Sequence, residues 1–155
     1  MSVSVFDALS QRLTAADVHY DVLRHAPVYT SQEAAAVRGT ALSSGAKALV
    51  CKADERFVMF VLPADRKLAS RQVRAQTGIK SLRFASREEV EQLTALSPGS
   101  IPPFGSLFAL PTYCDRKLAA EPRINFNAGD HSISVSMTYS EYERVEQPTL
   151  GDFSE

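Results

Sequence analysis

The sequence lacks any apolar run that approaches the roughly 20 residues needed to span a bilayer. Its first segment, Met1 to Leu13, carries Asp7 and does not have the basic-then-apolar order of a signal peptide. We therefore expect a cytoplasmic protein that does not interact with a membrane.

Cysteine is nearly absent. Cys51 and Cys114 are far apart, and neither has a second cysteine at a metal-ligand or redox spacing. Cys51 lies in an apolar run, where a small buried thiol is ordinary. Cys114 precedes Asp115 near a predicted loop, where an inert thiol is favoured over a reactive one. A reducing compartment also argues against a disulfide between them.

The usual signatures of metal and cofactor chemistry are missing as well. The three histidines, His19, His25 and His131, are scattered and are expected to be structural or exposed. No nucleophile elbow, phosphate-binding loop, dinucleotide glycine fingerprint or paired-histidine motif occurs. We expect neither a metal nor a cofactor.

The composition is that of a soluble globular protein. Hydrophobic residues make up 45% and charged residues 23% of 155 residues, enough to form a core. This length predicts one domain over residues 1–155, with its core at about 20–146 and a loose polar tail at 147–155.

Net charge is −1, but its distribution is uneven, with a basic segment between Arg66 and Arg87. On a helix predicted from 66 to 76, Lys67, Arg71 and Arg74 would form one basic stripe. Such a surface suits brief contact with a nucleic-acid end. A solvated helix face is an equally good interpretation.

Interleaved helix and strand patterns predict an α/β mixed fold of the α+β type, with a mixed, mostly antiparallel sheet and surrounding helices. Helices are expected at 5–18, 33–37, 66–76, from 87 through 93, and at a short closing segment. Capping boxes are predicted at Thr30–Glu33, Ser86–Glu89 and Ser140–Glu143, with Ser31 as an alternative cap for the first. Strands are expected near 22–23 and at 48–52, 57–62, 82–85, 107–110, 124–126 and 133–137, the second and third forming a hairpin.

Lys47 is the first residue with a possible chemical role. It follows the small residues of Ser43 to Ala46 and opens an apolar strand, from which its side chain could enter a cleft. A lysine in such a place can hold a phosphate or polarise an oxygen. From the residues alone, a lysine at a strand mouth with its amine in water is the favoured interpretation.

The loop around Pro98, Gly99 and Ser100 is the second feature with a possible chemical role. Backbone N–H groups of a glycine-containing turn can form a donor site for an anion or a developing oxyanion, and Ser100 could add a hydroxyl. Most Pro-Gly turns are only turns, so this pattern alone is weak.

Taken together, these features resemble the YbaK / prolyl-tRNA-synthetase-associated editing domains from about His25 to Val145. The motifs that carry the resemblance keep a specific order and spacing. They are His25-Ala26-Pro27, Thr30 to Ala35, Gly45 to Val50, Leu62 to Asp65, Ser97 to Gly105 and Phe126 to Gly129.

The resemblance implies an aminoacyl-tRNA deacylase, which hydrolyses the ester of a mischarged tRNA. The family lysine falls on Lys47. The resemblance therefore favours a functional lysine over one whose amine is simply in water, and the catalytic set that it implies is Lys47, Gly99 and Ser100. The family's G-x-x-P-G loop falls on 95–99, with Ala95 in place of the first glycine. An alanine there would cost free energy if the position needs a positive φ.

Substrate contacts follow from the same resemblance. They are expected from Thr30, Ser31, Ser97, Pro98, Gly129, His131 and Ser132. The family places part of its pocket wall at 129–132, where small or polar residues permit alanine, serine, threonine or cysteine. A tight turn that exposes Asp130 and His131 is nearly as good an interpretation. The expected partners are the aminoacylated 3′ end of tRNA and, in some settings, an aminoacyl-tRNA synthetase.

Two other functions stay open. One is a non-catalytic module that binds tRNA ends or a small ligand in the same cleft. The other is a general nucleic-acid binder that acts through Lys67, Arg71 and Arg74, which the net charge of −1 disfavours.

Overall fold

The computed structural model describes residues 4–155, so the first three residues of the predicted N-terminal segment and of the predicted domain lie outside it. The α-helices of this range are Val5–Ala15 (α1), Ser31–Arg38 (α2), Ser70–Thr77 (α3), Arg87–Thr94 (α4) and Tyr139–Glu146 (α5). Its strands are Asp21–Arg24 (β1), Ala46–Ala53 (β2), Arg56–Pro63 (β3), Leu82–Phe84 (β4), Thr112–Asp115 (β5), Arg123–Asn127 (β6), Ile133–Thr138 (β7) and Thr149–Gly151 (β8). Short 3₁₀ helices occupy Leu42–Ser44, Gly105–Phe108 and Arg116–Ala120.

The strands form two sheets. A three-stranded antiparallel sheet has the order β1-β7-β6, and a five-stranded sheet has the order β4-β2-β3-β5-β8. In the larger sheet, β5 runs parallel to both β3 and β8. A parallel bridge between Gly45 and Asn125 joins the entry of β2 to β6. The predicted α+β class is confirmed, with two sheets in place of one.

The β2–β3 hairpin was predicted correctly. Ala53 pairs with Arg56, which leaves Asp54 and Glu55 as a two-residue turn. Asp54 has a left-handed φ of 54°, and its carboxylate accepts the N–H of Ser81 at 2.8 Å. Aspartate tolerates this conformation because its short polar side chain can bond locally.

Two of the three predicted capping boxes, Thr30–Glu33 and Ser86–Glu89, are confirmed. The third was wrong, because α5 begins directly after β7 and is capped by Thr138, not Ser140. The Thr138 hydroxyl accepts the N–H of Glu141 at 3.2 Å.

The predicted helix at 66–76 begins late. Helix α3 starts only at Ser70, because the backbone of Lys67 pairs in both directions with that of Glu155 at 3.0 and 2.9 Å. Lys67 is therefore not on the helix, and the predicted basic stripe loses its first member. Arg71 and Arg74 stay together on α3.

The predicted strand at 107–110 was also wrong. Gly105–Phe108 is a 3₁₀ helix, and the strand follows it as β5. The Gly105 N–H donates to Thr112 Oγ1 at 3.0 Å, which brings the start of the 3₁₀ helix against the start of the strand. This close turn leaves no room for an extended segment between them.

The tail is not loose, which corrects the prediction for 147–155. It pairs as β8 with β5, and Phe153 is only 1% exposed. The Phe153 ring meets Phe60 edge-on at 5.5 Å, and its N–H donates to Asp115 Oδ2 at 2.7 Å. One aromatic residue thus anchors a polar segment.

Buried side chains form two clusters. The larger includes Leu9, Leu13 and Phe126, and the smaller joins the five-stranded sheet to α3 and Phe153. Cys114 lies in the first and Cys51 in the second, both as free thiols. Burial raises the pKa of each thiol to about 12, so both are inert. Within residues 4–155, no helix is long and apolar enough to cross a bilayer.

The packed tail generates a stability prediction. Replacing Phe153→Ala should lower the free energy of unfolding by about 3–5 kcal/mol, because it empties a fully buried site. Leu150→Ala is the matched control in the same C-terminal segment, since Leu150, on β8, is 37% exposed. Urea denaturation should show a loss of less than about 1 kcal/mol for the control. Equal losses for both variants would contradict the anchoring by Phe153.

Candidate active site

A cleft of about 360 Å³ opens between α2, the start of β2, the end of β4 and the loop after α4. Its size lies within the range of small-molecule and cofactor sites. Small apolar side chains line much of it, and its charged lining residues are Arg38 and Lys47. Other lining residues are Tyr29, Thr30, Ser31, Ala34, Ala35, Ala46, Ala48, Phe84, Pro98, Gly99, Asn125 and Asn127.

The cleft follows an uncovered edge of β2. Strand β4 pairs only with Cys51–Ala53, and the last bond on that side joins the Ala85 N–H to the Val50 carbonyl. Backbone groups alternate sides along a strand, so those of Ala48 point to the same side as those of Val50. The N–H and C=O of Ala48 are thus directed towards the cleft.

Lys47, the second residue of β2, is half-buried beside this edge. Burial lowers the pKa of its amine, an effect that nearby Asp65 opposes and Lys67 reinforces. Within residues 4–155 the amine makes no hydrogen bond or ion pair. A desolvated cation without a partner is suited to an anionic or strongly polar ligand.

Arg38, in the last turn of α2, is a site residue that the sequence analysis missed. Its Nε donates to Ser134 Oγ at 2.8 Å and its Nη2 donates to Asn127 Oδ1 at 2.9 Å. Burial lowers the pKa of the guanidinium to about 10. Its partners in the described residues are neutral, so its charge stays uncompensated in the cleft that Lys47 also lines. The only sequence signal was the polar face of β7, where Ser134 proves to be 3% exposed.

The hydrogen bonds continue from Arg38 to the predicted catalytic loop. Asn127 Oδ1 accepts from Arg38, so the amide nitrogen points the other way and donates to the Gly99 carbonyl at 2.7 Å. The network thereby fixes the orientation of the Asn127 amide. Arg38 and Asn127 together hold Gly99 at the cleft wall.

The loop at Ser97 to Ser100 is a tight turn. Gly99 has a φ of 92° and follows Pro98, and the Ser100 N–H donates to the Ser97 carbonyl at 3.3 Å. These are features of a type II turn, which favours glycine at its third position. The Ser100 hydroxyl is buried and donates to the same carbonyl at 2.9 Å. The Gly99 N–H is the group of this turn that is left for a ligand, and Ser100 serves the turn itself.

Ser97 and His131 form a pair behind the loop. His131 Nδ1 lies 3.1 Å from the Val28 carbonyl, which can only accept, so Nδ1 carries a proton. In the neutral ring, Nε2 must then accept from Ser97 Oγ at 3.0 Å. Both side chains line a second, adjoining pocket, and a Cβ at Gly99 would lie 3.5 Å from the His131 ring. The ring of Tyr29, which lines both pockets, contacts His131 at 4.8 Å.

Of the other predicted substrate contacts, Thr30, Ser31 and Gly129 line one of the two pockets and Ser132 lines neither. Thr30 and Ser31 line the main cleft, although the Thr30 hydroxyl also caps α2. Gly129 lines the second pocket and has a φ of 87°, and a Cβ added to it would lie 3.0 Å from Val5 Cβ. The Ser132 hydroxyl bonds Asp130 in a tight turn that exposes Asp130, as the alternative interpretation expected, but His131 is half-buried and not exposed as that interpretation had it.

The predicted tRNA contacts lie outside the cleft lining. Arg71 and Arg74 are exposed on α3, whereas Lys67 is near enough to Lys47 to affect its pKa.

Comparison with known proteins defines the class. The sequence profile of the aminoacyl-tRNA editing domain matches residues 25–145. The chain belongs to this family.

Individual relatives support the assignment to this family. The multifunctional Ser/Thr-tRNA deacylase ProXp-y of Escherichia coli K12 is 35% identical over 145 residues, covering 86% of this chain and 83% of that protein. The proline–tRNA ligase of Shouchella clausii is 34% identical over 109 residues, covering 68% of this chain but 19% of the ligase. A solved structure proposed to be a trans-editing enzyme for prolyl tRNA synthetase has a TM-score of 0.86 at 25% identity, covering 99% of both chains.

Ala95 bears out the concern about backbone strain. It ends α4 with a left-handed φ of 61°. Ala95→Gly should raise the free energy of unfolding by about 0.5–1 kcal/mol, since the relief of left-handed strain exceeds the added backbone entropy. Ala36→Gly, at an exposed position in the middle of α2, should instead lower it by about 1 kcal/mol. Chemical denaturation measures both, and a destabilised Ala95→Gly would contradict the strain at this position.

The desolvated amine of Lys47 generates a second prediction. A lysine whose folded pKa is lowered costs stability while it is charged, and the cost disappears as the pH rises through that pKa. Lys47→Met should therefore raise Tm at pH 7, by a margin that narrows as the pH approaches 10.5. Lys67→Met, at an exposed position, should leave Tm nearly unchanged. A lower Tm for Lys47→Met would show that the amine stabilises the fold.

Proposed function

We propose that this chain hydrolyses the ester of a mischarged tRNA that carries a small amino acid: alanine, serine, threonine or cysteine. The observation that carries the proposal is the juxtaposition, in one cleft, of the unpaired amine of Lys47 and the Gly99 turn. Membership of the editing-domain family and the similarity to a Ser/Thr-tRNA deacylase support it.

In the proposed mechanism a water molecule attacks the ester carbonyl. The Gly99 N–H donates to the oxyanion that develops, and Arg38 and Asn127 keep that N–H in place through the Gly99 carbonyl. Lys47 holds the phosphate or ribose of the terminal adenosine and so fixes the ester beside the turn. The C–O bond breaks, and the 3′ oxygen leaves with the proton that the water loses.

Proton transfer relies mainly on the substrate. An aminoacyl ester is already activated, so the protein does not need a full triad. The Gly99 carbonyl accepts from Asn127, which leaves it less suited to a water. The neighbouring ribose hydroxyl of the terminal adenosine is the better group to position the attacking water.

The choice of a small amino acid rests on the lining of the cleft. Seven alanines line it together with the glycine turn: Ala34, Ala35, Ala41, Ala46, Ala48, Ala64 and Ala85. Such a surface accepts a methyl or hydroxymethyl side chain of the substrate, but it discriminates poorly between small side chains of similar size. Of the residues predicted as the pocket wall, Gly129 and His131 line the second pocket, where His131 packs behind Gly99, and Ser132 lines neither pocket. Action beside a synthetase stays a prediction.

A panel of mischarged tRNAs tests the proposal through release of the free amino acid. The wild-type chain should deacylate at least one of Ala-, Ser-, Thr- and Cys-tRNA, and Lys47→Ala should reduce kcat/KM by about 10²–10³-fold, as expected for an electrostatic contact. Lys67→Ala is the matched control, because it removes a nearby exposed charge and should keep most of the activity.

The other outcomes identify the alternatives. Binding of tRNA ends without release would favour the non-catalytic module. Salt-sensitive duplex binding that is unaffected by Lys47→Ala but reduced by Arg71→Ala with Arg74→Ala would favour a general nucleic-acid binder. Full activity of Lys47→Ala would overturn the assigned role of the lysine.

A further inference from the structure

Phe84 is an aromatic side chain without a packing role. It ends β4, the edge strand of the larger sheet, and is 61% exposed. It belongs to neither buried cluster of the described residues, although it lines the main cleft. A large apolar ring left in water at a cleft mouth indicates a surface that a ligand covers.

The position of Phe84 relates it to Lys47. Phe84 pairs with Cys51 across the sheet, and partners in register point to the same face. Lys47 precedes Cys51 by four residues and shares that face, at about 13 Å along the strand by the usual rise per residue. The ring and the amine therefore lie on one face of the sheet. Their separation is one that a few nucleotides of single-stranded nucleic acid could span.

The charge of the cleft selects the kind of ligand. Arg38 and Lys47 line it, and no aspartate or glutamate of residues 4–155 does so. A cationic groove beside an exposed ring is the arrangement by which proteins bind single-stranded nucleic acid, with phosphates at the cations and a base against the ring. Tyr29 is also exposed at this cleft, but one side of its ring already contacts His131.

We propose that Phe84 is the platform on which a base of the single-stranded tRNA 3′ end stacks, while Lys47 and Arg38 face its phosphates. The inference rests on the proposed function for the identity of the strand. It adds a nucleobase contact, on a different strand from the reacting groups, that places the ester by holding the nucleotides next to it.

The sequence permits a direct optical test because it contains no tryptophan. Phe84→Trp creates a single tryptophan fluorophore at the proposed platform, and stacking of a base on it should quench the tryptophan emission. The probe is an uncharged RNA oligonucleotide ending in CCA, so that no hydrolysis is needed. Leu150→Trp is the matched control, at an exposed site on β8, the opposite edge strand of the same sheet.

We expect saturable quenching of Phe84→Trp by the RNA and little change in Leu150→Trp. Equal responses of the two proteins, or no response of Phe84→Trp, would overturn the proposal. Saturable quenching by an acidic peptide of similar length, with none by the RNA, would also overturn it in favour of a protein ligand.

Kinetics of the wild-type reaction separate stacking from simple apolar contact. Phe84→Ala should raise KM for the mischarged tRNA by about 10-fold or more, the effect of losing one stacked base, with kcat changed little. Phe84→Tyr should retain the wild-type KM, whereas Phe84→Leu, which keeps apolar volume without a ring, should resemble Phe84→Ala. A wild-type KM for Phe84→Leu would overturn stacking.

The two proposals can fail separately. Quenching by uncharged RNA without any deacylation would leave the platform standing and remove the enzymatic role. Normal deacylation with an unchanged KM in Phe84→Ala would remove the platform alone.

Discussion

The hydrogen bonds of Arg38 hold the site together. Its guanidinium joins the end of α2 to β7 through Ser134 and to β6 through Asn127, and Asn127 passes the connection on to Gly99. Each partner is neutral, so these bonds fix geometry without cancelling the charge. The structure thus keeps a positive charge at the cleft and uses the same side chain to orient the turn opposite Lys47.

The charged groups and the strained turn of this cleft lower the stability of the folded chain. Burial lowers the pKa of both Arg38 and Lys47, which means that folding disfavours their charged forms. Ala95 adds backbone strain in the turn that ends α4, just before the loop. An anionic ligand would relieve the electrostatic part of this cost, because it supplies the partner that the described residues do not.

Features with local causes could be predicted from the sequence. Two capping boxes and the β2–β3 hairpin depend on residues that are a few positions apart. Arg38 could not be recognised in this way, because its partners lie 89 and 96 residues further along the chain. The tail was misjudged for the same reason, since Phe153 finds Phe60 and Asp115 only in the folded sheet.

The candidate site could also be predicted only in part. Resemblance to the family indicated Lys47 and the 97–100 loop, and the fold brings Lys47 and Gly99 to one cleft. The part played by Ser100 could not be anticipated, because its hydroxyl turns inward to the Ser97 carbonyl. The exposure of Phe84 likewise could not be anticipated, because the position of β4 at the edge of the sheet is known only from the folded chain.

One consequence of the Gly99 turn concerns how the site can be observed. The turn is a wall one residue thick, with the main cleft on one side and the His131 ring on the other, 3.5 Å from where a Cβ would stand. Any movement of the turn alters the magnetic environment of that ring. Because the chain has only three histidines, the imidazole proton signals in a simple NMR spectrum offer a natural, label-free reporter of what occupies the cleft.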